Sequence, residues 1–130
     1  MGYALTTTVD DTFEQTLEAT REALVRQGFG VLTEIDLRAT LKSKLDVDVA
    51  PQVILGACRP PLAYAALQAE PSIGLLLPCN VVVRSVDENH TLVEAMDPSV
   101  MVDLTGNHDL VAVADDARTR LTAALDSLTP

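Results

Sequence analysis

From Cys79 to Met96 the chain reads Cys-Asn-Val-Val-Val-Arg-Ser-Val, then Asp-Glu-Asn-His, then Thr-Leu-Val-Glu-Ala-Met. Two β-branched, apolar runs joined by a short polar turn fold back on each other as a hairpin. No other stretch narrows the fold as far. In the register that pairs Cys79 to Val86 with Leu92 to Met96, the residues Val81, Val83, Ser85, Val93 and Ala95 share one face, while Val82, Arg84, Val86, Leu92, Glu94 and Met96 share the other. The first set is small and suits packing beneath helices. The second is still apolar for a surface that no remaining helix can cover, so a partner subunit or a ligand is expected there.

The other elements follow from period and punctuation. Tyr3 to Val9 alternates and is rich in Thr, as a strand would be. Asp10 and Asp11 offer an N-cap, with Glu14 at capping-box spacing from Asp11. Phe13, Leu17, Thr20 and Leu24 then run at helical spacing to a glycine stop at Gly28. Phe29 to Ile35 reads as the second strand, Asp36 to Leu45 as a short polar helix carrying both lysines, and Pro51 to Ala57 as the third strand. Pro60-Pro61 opens another short helix, which Glu70-Pro71 ends. After the hairpin, Asp97-Pro98 breaks the chain. A final helix capped by Asn107 or Asp109 carries Leu110, Val113, Ala117, Leu121, Ala124 and Leu128 on one face. The order predicts an α+β, two-layer sandwich in which two long helices pack on one face of a mostly antiparallel sheet of about five strands. Residues 1–130 should form one domain, because no linker divides them.

Composition narrows the partners. With 48% apolar residues but only 3% aromatic, the core must be Val, Leu, Ile and Ala. Two Tyr and two Phe make no stacking platform for single strands, and a net charge of -10 disfavours nucleic acid and anionic membranes. The acidic bias fits either adaptation to a salty cytosol or a GC-rich genome. No apolar run approaches the ~18 residues of a membrane span, and the N-terminus lacks a basic segment followed by a long apolar one. The expected setting is cytoplasmic, with reduced thiols.

Chemistry-bearing residues are few. Cys58 and Cys79 each lie beside a proline at the margin of an apolar run, in Leu55-Gly-Ala-Cys-Arg-Pro-Pro and Leu75-Leu-Leu-Pro-Cys-Asn. They read as buried small hydrophobes or as functional thiols, Cys58 having Arg59 beside it to favour a thiolate. A disulfide is the third reading, disfavoured in a reducing cytosol. These two segments resemble a prokaryotic family known as domain of unknown function 302, in which a strand ends in Gly-Ala-Cys-Asn-Pro and Leu-Leu-Pro-Cys opens the next. The resemblance covers nearly the whole chain and implies the same layout. It makes Cys58, Pro60, Pro78 and Cys79 the family's hallmark positions. Arg59 departs from the family's Asn and offers an anion contact instead.

Two thiols with Met96, Met101, His90 and His108 could in principle make a soft site for Cu(I) or zinc, but neither His90, in the hairpin turn, nor His108, at a helix start, has ligand spacing from a cysteine, so no metal and no cofactor is expected. Glu34, Glu94 and Asp97 sit in or at the ends of strands, where carboxylates are commonly solvated or paired, Glu94 with Arg84 across the hairpin. The chain therefore reads as a small-molecule-binding or sensing domain, homodimeric through Val82, Val86, Leu92 and Met96. If the third and fourth strands neighbour each other antiparallel, both cysteines reach one rim of the sheet. The helix start at Pro60-Pro61 would add free backbone donors to that rim. The expected ligand site is Cys58, Arg59 and Cys79, with Asn80 and Glu34 at its margin. Two alternatives stand: an enzyme using Cys58 or Cys79 as nucleophile or redox thiol in sulfur handling, and a purely structural dimer module.

Overall fold

The computed structural model describes residues 2–130. Its strands are β1 (Ala4–Val9), β2 (Gly30–Asp36), β3 (Gln52–Cys58), β4 (Cys79–Asp87) and β5 (His90–Met96). They form one sheet in the order β1-β5-β4-β3-β2, every neighbouring pair antiparallel. The hairpin of β4 and β5 takes the register its side chains demand, with Val81 opposite Ala95, Val83 opposite Val93 and Arg84 opposite Leu92. A bulge between Ser85 and Asp87 takes Val86 out of the alternation, so the strand period no longer fixes its face.

The helices are α1 (Phe13–Arg26), α2 (Leu37–Leu45), α3 (Pro60–Ala69), α4 (Ser99–Thr105) and α5 (Val111–Asp126), with short 3-10 turns at Pro71–Leu76 and His108–Leu110. The expectation of two long helices gives way here. The longest, α5 and α1, have 16 and 14 residues, and the helical layer is shared with shorter pieces. The turn before α4 was legible at Asp97-Pro98. The seven residues of α4 are too short for a periodic signal.

α1 and α5 bury the face of the sheet that carries Val53, Leu55, Val81, Val83 and Val93, meeting it with Leu24, Leu121 and Leu125. A second apolar cluster joins α3, the Pro71–Leu76 turn, α4 and α5 through Ala66, Ile73, Met101, Leu110 and Ala114. Ala rather than Leu at positions 114, 117 and 124 of α5 lets its backbone lie close to its neighbours. Among the described residues no helix is long and apolar enough to cross a membrane.

Thr12, not Asp10 or Asp11, caps α1: its hydroxyl accepts from Gln15 N at 3.3 Å, while Asp11 accepts from Thr12 N at 2.8 Å. The helix ends as its glycine requires. Gly28 takes φ +86°, Gly28 N donates to Val25 O (2.9 Å) and Phe29 N to Leu24 O (3.0 Å). These paired bonds of a Schellman stop turn Phe29 into the interior. At Gly56, in β3, the constraint is space rather than φ. A Cβ there would stand 2.1 Å from Thr33 Oγ1 and 2.7 Å from Pro78 Cγ.

Candidate functional site

β3 and β4 run antiparallel with Ala57 opposite Cys79, so the end of one strand lies beside the start of the next. That register brings the two cysteine segments to one rim of the sheet. The chain leaves β3 at Cys58, Arg59 precedes the two prolines, and α3 folds back over the rim. Between α3, α4, α5 and the strand ends lies a narrow cleft bordered by Phe29, Cys58, Arg59, Leu62, Leu77, Cys79 and Met101. Its cavity of about 20 Å³ has room for roughly one or two waters. The walls are aliphatic, Phe29 apart; the two thiols, one thioether and one guanidinium are the groups with chemistry.

Cys79 is 6% exposed, and burial pushes its thiol up to about 11, with Cys58 adding a smaller repulsion. It therefore stays protonated at neutral pH, the reverse of an activated nucleophile. Cys58 is half-buried, and both thiols are free. Arg59 lies across Gly28, where a Cβ would come within 3.0 Å of its Nε. That Nε is buried and finds no hydrogen-bond partner among the described residues. An orphaned cationic donor at the edge of an apolar cleft asks for an electron-rich neighbour.

Two expectations about the rim are corrected. The start of α3 offers no free donors: the prolines carry no N–H, and Leu62 N and Ala63 N both donate to Arg59 O at 3.0 Å. Nor do Asn80 and Glu34 border the cleft. Asn80 alternates to the opposite face of the sheet and lines a shallow groove there with Val82, Arg84, Glu94 and Met96. Glu34 pairs with Arg21 of α1, which raises the guanidinium's pKa chiefly through that hydrogen bond. The other carboxylates are structural. Glu94 accepts from Arg84 Nε at 3.1 Å, and Asp97, in the turn before α4, accepts from Ser99 N (3.0 Å) and from Arg118 Nε (3.2 Å). His90 leans on Asp87, at 2.7 Å, and His108 is exposed.

Sequence reasoning missed the far walls, Phe29, Leu62 and Leu77, and set Met101 aside as a soft donor without ligand spacing. Phe29 was foreshadowed by the glycine stop before it. Met101 comes from α4, whose position over the rim depends on tertiary packing.

The family model for Domain of unknown function DUF302 matches residues 5–128. The chain belongs to the DUF302 family. A solved structure described as an uncharacterized conserved DUF302 protein from Bacillus stearothermophilus is similar throughout: 31% identical, with a TM-score of 0.88 over 97% of this chain and 98% of that one. No curated protein matches. Membership in DUF302 and the likeness over nearly the whole chain speak for a shared fold and leave the chemistry of the cleft to be argued from its residues.

Proposed function

We propose that this DUF302 domain binds or senses a small electrophilic ligand, held in the apolar cleft against Cys58 with Arg59 at its edge. The observation that carries this reading is the convergence of two cysteine segments on a narrow, mostly apolar cleft whose bordering cation has a buried nitrogen without a partner. A small pocket with few convergent polar groups is the usual form of a ligand site. An enzyme thiol is less well supported, because burial holds the Cys79 proton in place. Among the residues bordering the cleft, no histidine or carboxylate stands ready to act as a base.

Iodoacetamide tests the reading. At neutral pH in the folded protein Cys58 should alkylate and Cys79 should not, and Leu62→Trp, which fills the mouth, should slow the reaction at Cys58. Rapid alkylation of Cys79 would favour the enzyme. Silence at both thiols would favour a purely structural module.

A second observation supports a homodimer. The sheet face with Ile54, Val82, Leu92 and Met96 is only half-buried, and α1 and α5 pack on the opposite face. Arg84 and Glu94 lie together on that face, so a two-fold axis could cross-pair them between copies.

A further inference from the structure

From Gly30 to Ala50 the chain forms β2, α2 and a loop, yet none of these residues is buried. β2 runs from Gly30, opposite Cys58, to Asp36, opposite Val53, so α2 lies at the end of the sheet away from the cleft. We infer that this arm clasps a second copy of the chain about a two-fold axis. The inference rests on the homodimer reading and assigns the element that holds the two copies together.

Helices shorter than about 12–15 residues are marginal in water and depend on packing of an apolar face. α2 has nine residues and none is buried. Its ends are well made: Asp36 accepts from Ala39 N at 2.9 Å, and Asp46 closes the last turn at φ +55°. Caps align a helix but give it no core. The apolar side chains available for one stand outside. Leu32 and Leu45 are each 66% exposed, and Ile35, Val47 and Val49 are exposed as well. Ile35 lies opposite Ile54, so the arm continues the open sheet face assigned to the dimer.

Charge selects a second copy as the occupant. Residues 36–48 hold three cations, Arg38, Lys42 and Lys44, and three acids, Asp36, Asp46 and Asp48, so this stretch is neutral in a chain of net charge -10. Two such chains repel except where charge is balanced, and a partner of one sign would be met by a patch of the other. The cations lie within the helix, and two of the acids follow it. An antiparallel approach of two α2 helices therefore sets Lys42 and Lys44 of each copy against Asp46 and Asp48 of the other. The pairing occurs twice, as an isologous contact requires. Within one chain Lys42 reaches Asp46 at 2.9 Å and Asp48 at 3.4 Å, but both pairs are exposed, so exchanging them between copies costs little. The bulge between Val31 and Thr33 breaks the free edge of β2, which favours contact through the helix over strand addition.

The test is sedimentation velocity of the full chain over a range of concentrations, with hydrogen exchange of the α2 amides. Wild type should be a dimer at micromolar concentration. Leu32→Ser and Leu45→Ser, both outside the core of one chain, should each raise the dissociation constant about 10-fold or more with an unchanged far-ultraviolet spectrum. Lys42→Glu with Lys44→Glu should give monomers, as should Asp46→Asn with Asp48→Lys, the Asn keeping the left-handed turn. Mixing these two chains should restore a dimer, which no folding defect would do. The α2 amides should exchange slowly in the dimer and lose that protection on dilution to monomer. Wild-type association in the leucine variants, no heterodimer on mixing, or protection that survives dilution would overturn the arm contact. If the arm variants keep the dimer and Leu92→Arg dissociates it, the arm is wrong and the open-face reading stands. If the arm variants dissociate it and Leu92→Arg does not, the open-face reading falls and the arm stands. A monomeric wild type removes both.

Discussion

At the scale of single residues, the cysteines illustrate how burial rather than identity sets chemistry. Cys79 is sealed beneath α3 and α5, and its thiol lies near 11 instead of its ordinary 9.0. The unfolded chain therefore begins to lose this proton near pH 9, while the folded chain holds it until about pH 11. Its contribution to stability is complete below pH 9 and declines as pH rises through that window, by about 1.4 kcal/mol per pH unit. We expect urea midpoints to fall between pH 9 and 11 with a steeper slope in the wild type than in Cys79→Ala. Equal slopes would mean that water reaches the thiol. The meeting of the two cysteine–proline segments at one rim was legible in the sequence, because two antiparallel neighbours bring the end of β3 beside the start of β4; the alternation that places Cys79 towards the helices turns Cys58, next to its partner Ala57, the other way. Asn80 was misplaced by the same alternation. Adjacent to Cys79 in sequence, it must point to the other face. The orphaned Nε of Arg59 was not legible, since it depends on Gly28, thirty-one positions earlier, passing beneath the side chain.

At the scale of elements, the start of the last helix ties the helical layer together. Asn107 accepts from Asp109 N at 2.9 Å and, through Nδ2, donates to Ala69 O at 2.9 Å and to Glu70 Oε1 at 3.2 Å. One side chain thus caps the turn leading into α5 and fastens it to the end of α3, both walls of the cleft. Asn107→Ala should lower stability by about 1–3 kcal/mol, the sum of a lost cap and a lost buried-edge hydrogen bond. Asn107→Asp keeps the cap but sets a carboxylate oxygen against Ala69 O and Glu70 Oε1 in place of the donor, so its denaturation midpoint should fall clearly below that of wild type. Identical midpoints for Asn107→Asp and wild type would show that the tether contributes nothing. Periodicity found α1 and α5 because they span several turns with one buried stripe. It could not find α4, whose seven residues start at the Asp97-Pro98 turn, where Asp97 accepts from Ser99 N, and carry Met101 into the core.

For the whole molecule, the two faces of one sheet divide the work. One face and its helices build the core and the cleft. The other exposes Val82, Leu92 and Met96 around the Arg84–Glu94 pair. If that face joins two copies, the wild type should sediment as a dimer at micromolar concentration and Leu92→Arg as a monomer with an unchanged far-ultraviolet spectrum. A monomeric wild type would leave the apolar face to another partner. The layered fold could be read from the order of strands and helices, and the hairpin showed which face the helices cover, because its two faces differ in side-chain size. The occupant of each face is a matter of complementarity with something outside the chain, which no period in the sequence encodes. The central claim is that the cleft beside Cys58, Arg59 and Cys79 holds a ligand. Its most direct test is native mass spectrometry of the protein isolated gently from its own cells. The account predicts a bound mass present in wild type and absent from Cys58→Ser and Leu62→Trp. A spectrum showing only the bare chain, or an adduct equally abundant in those variants, would contradict it.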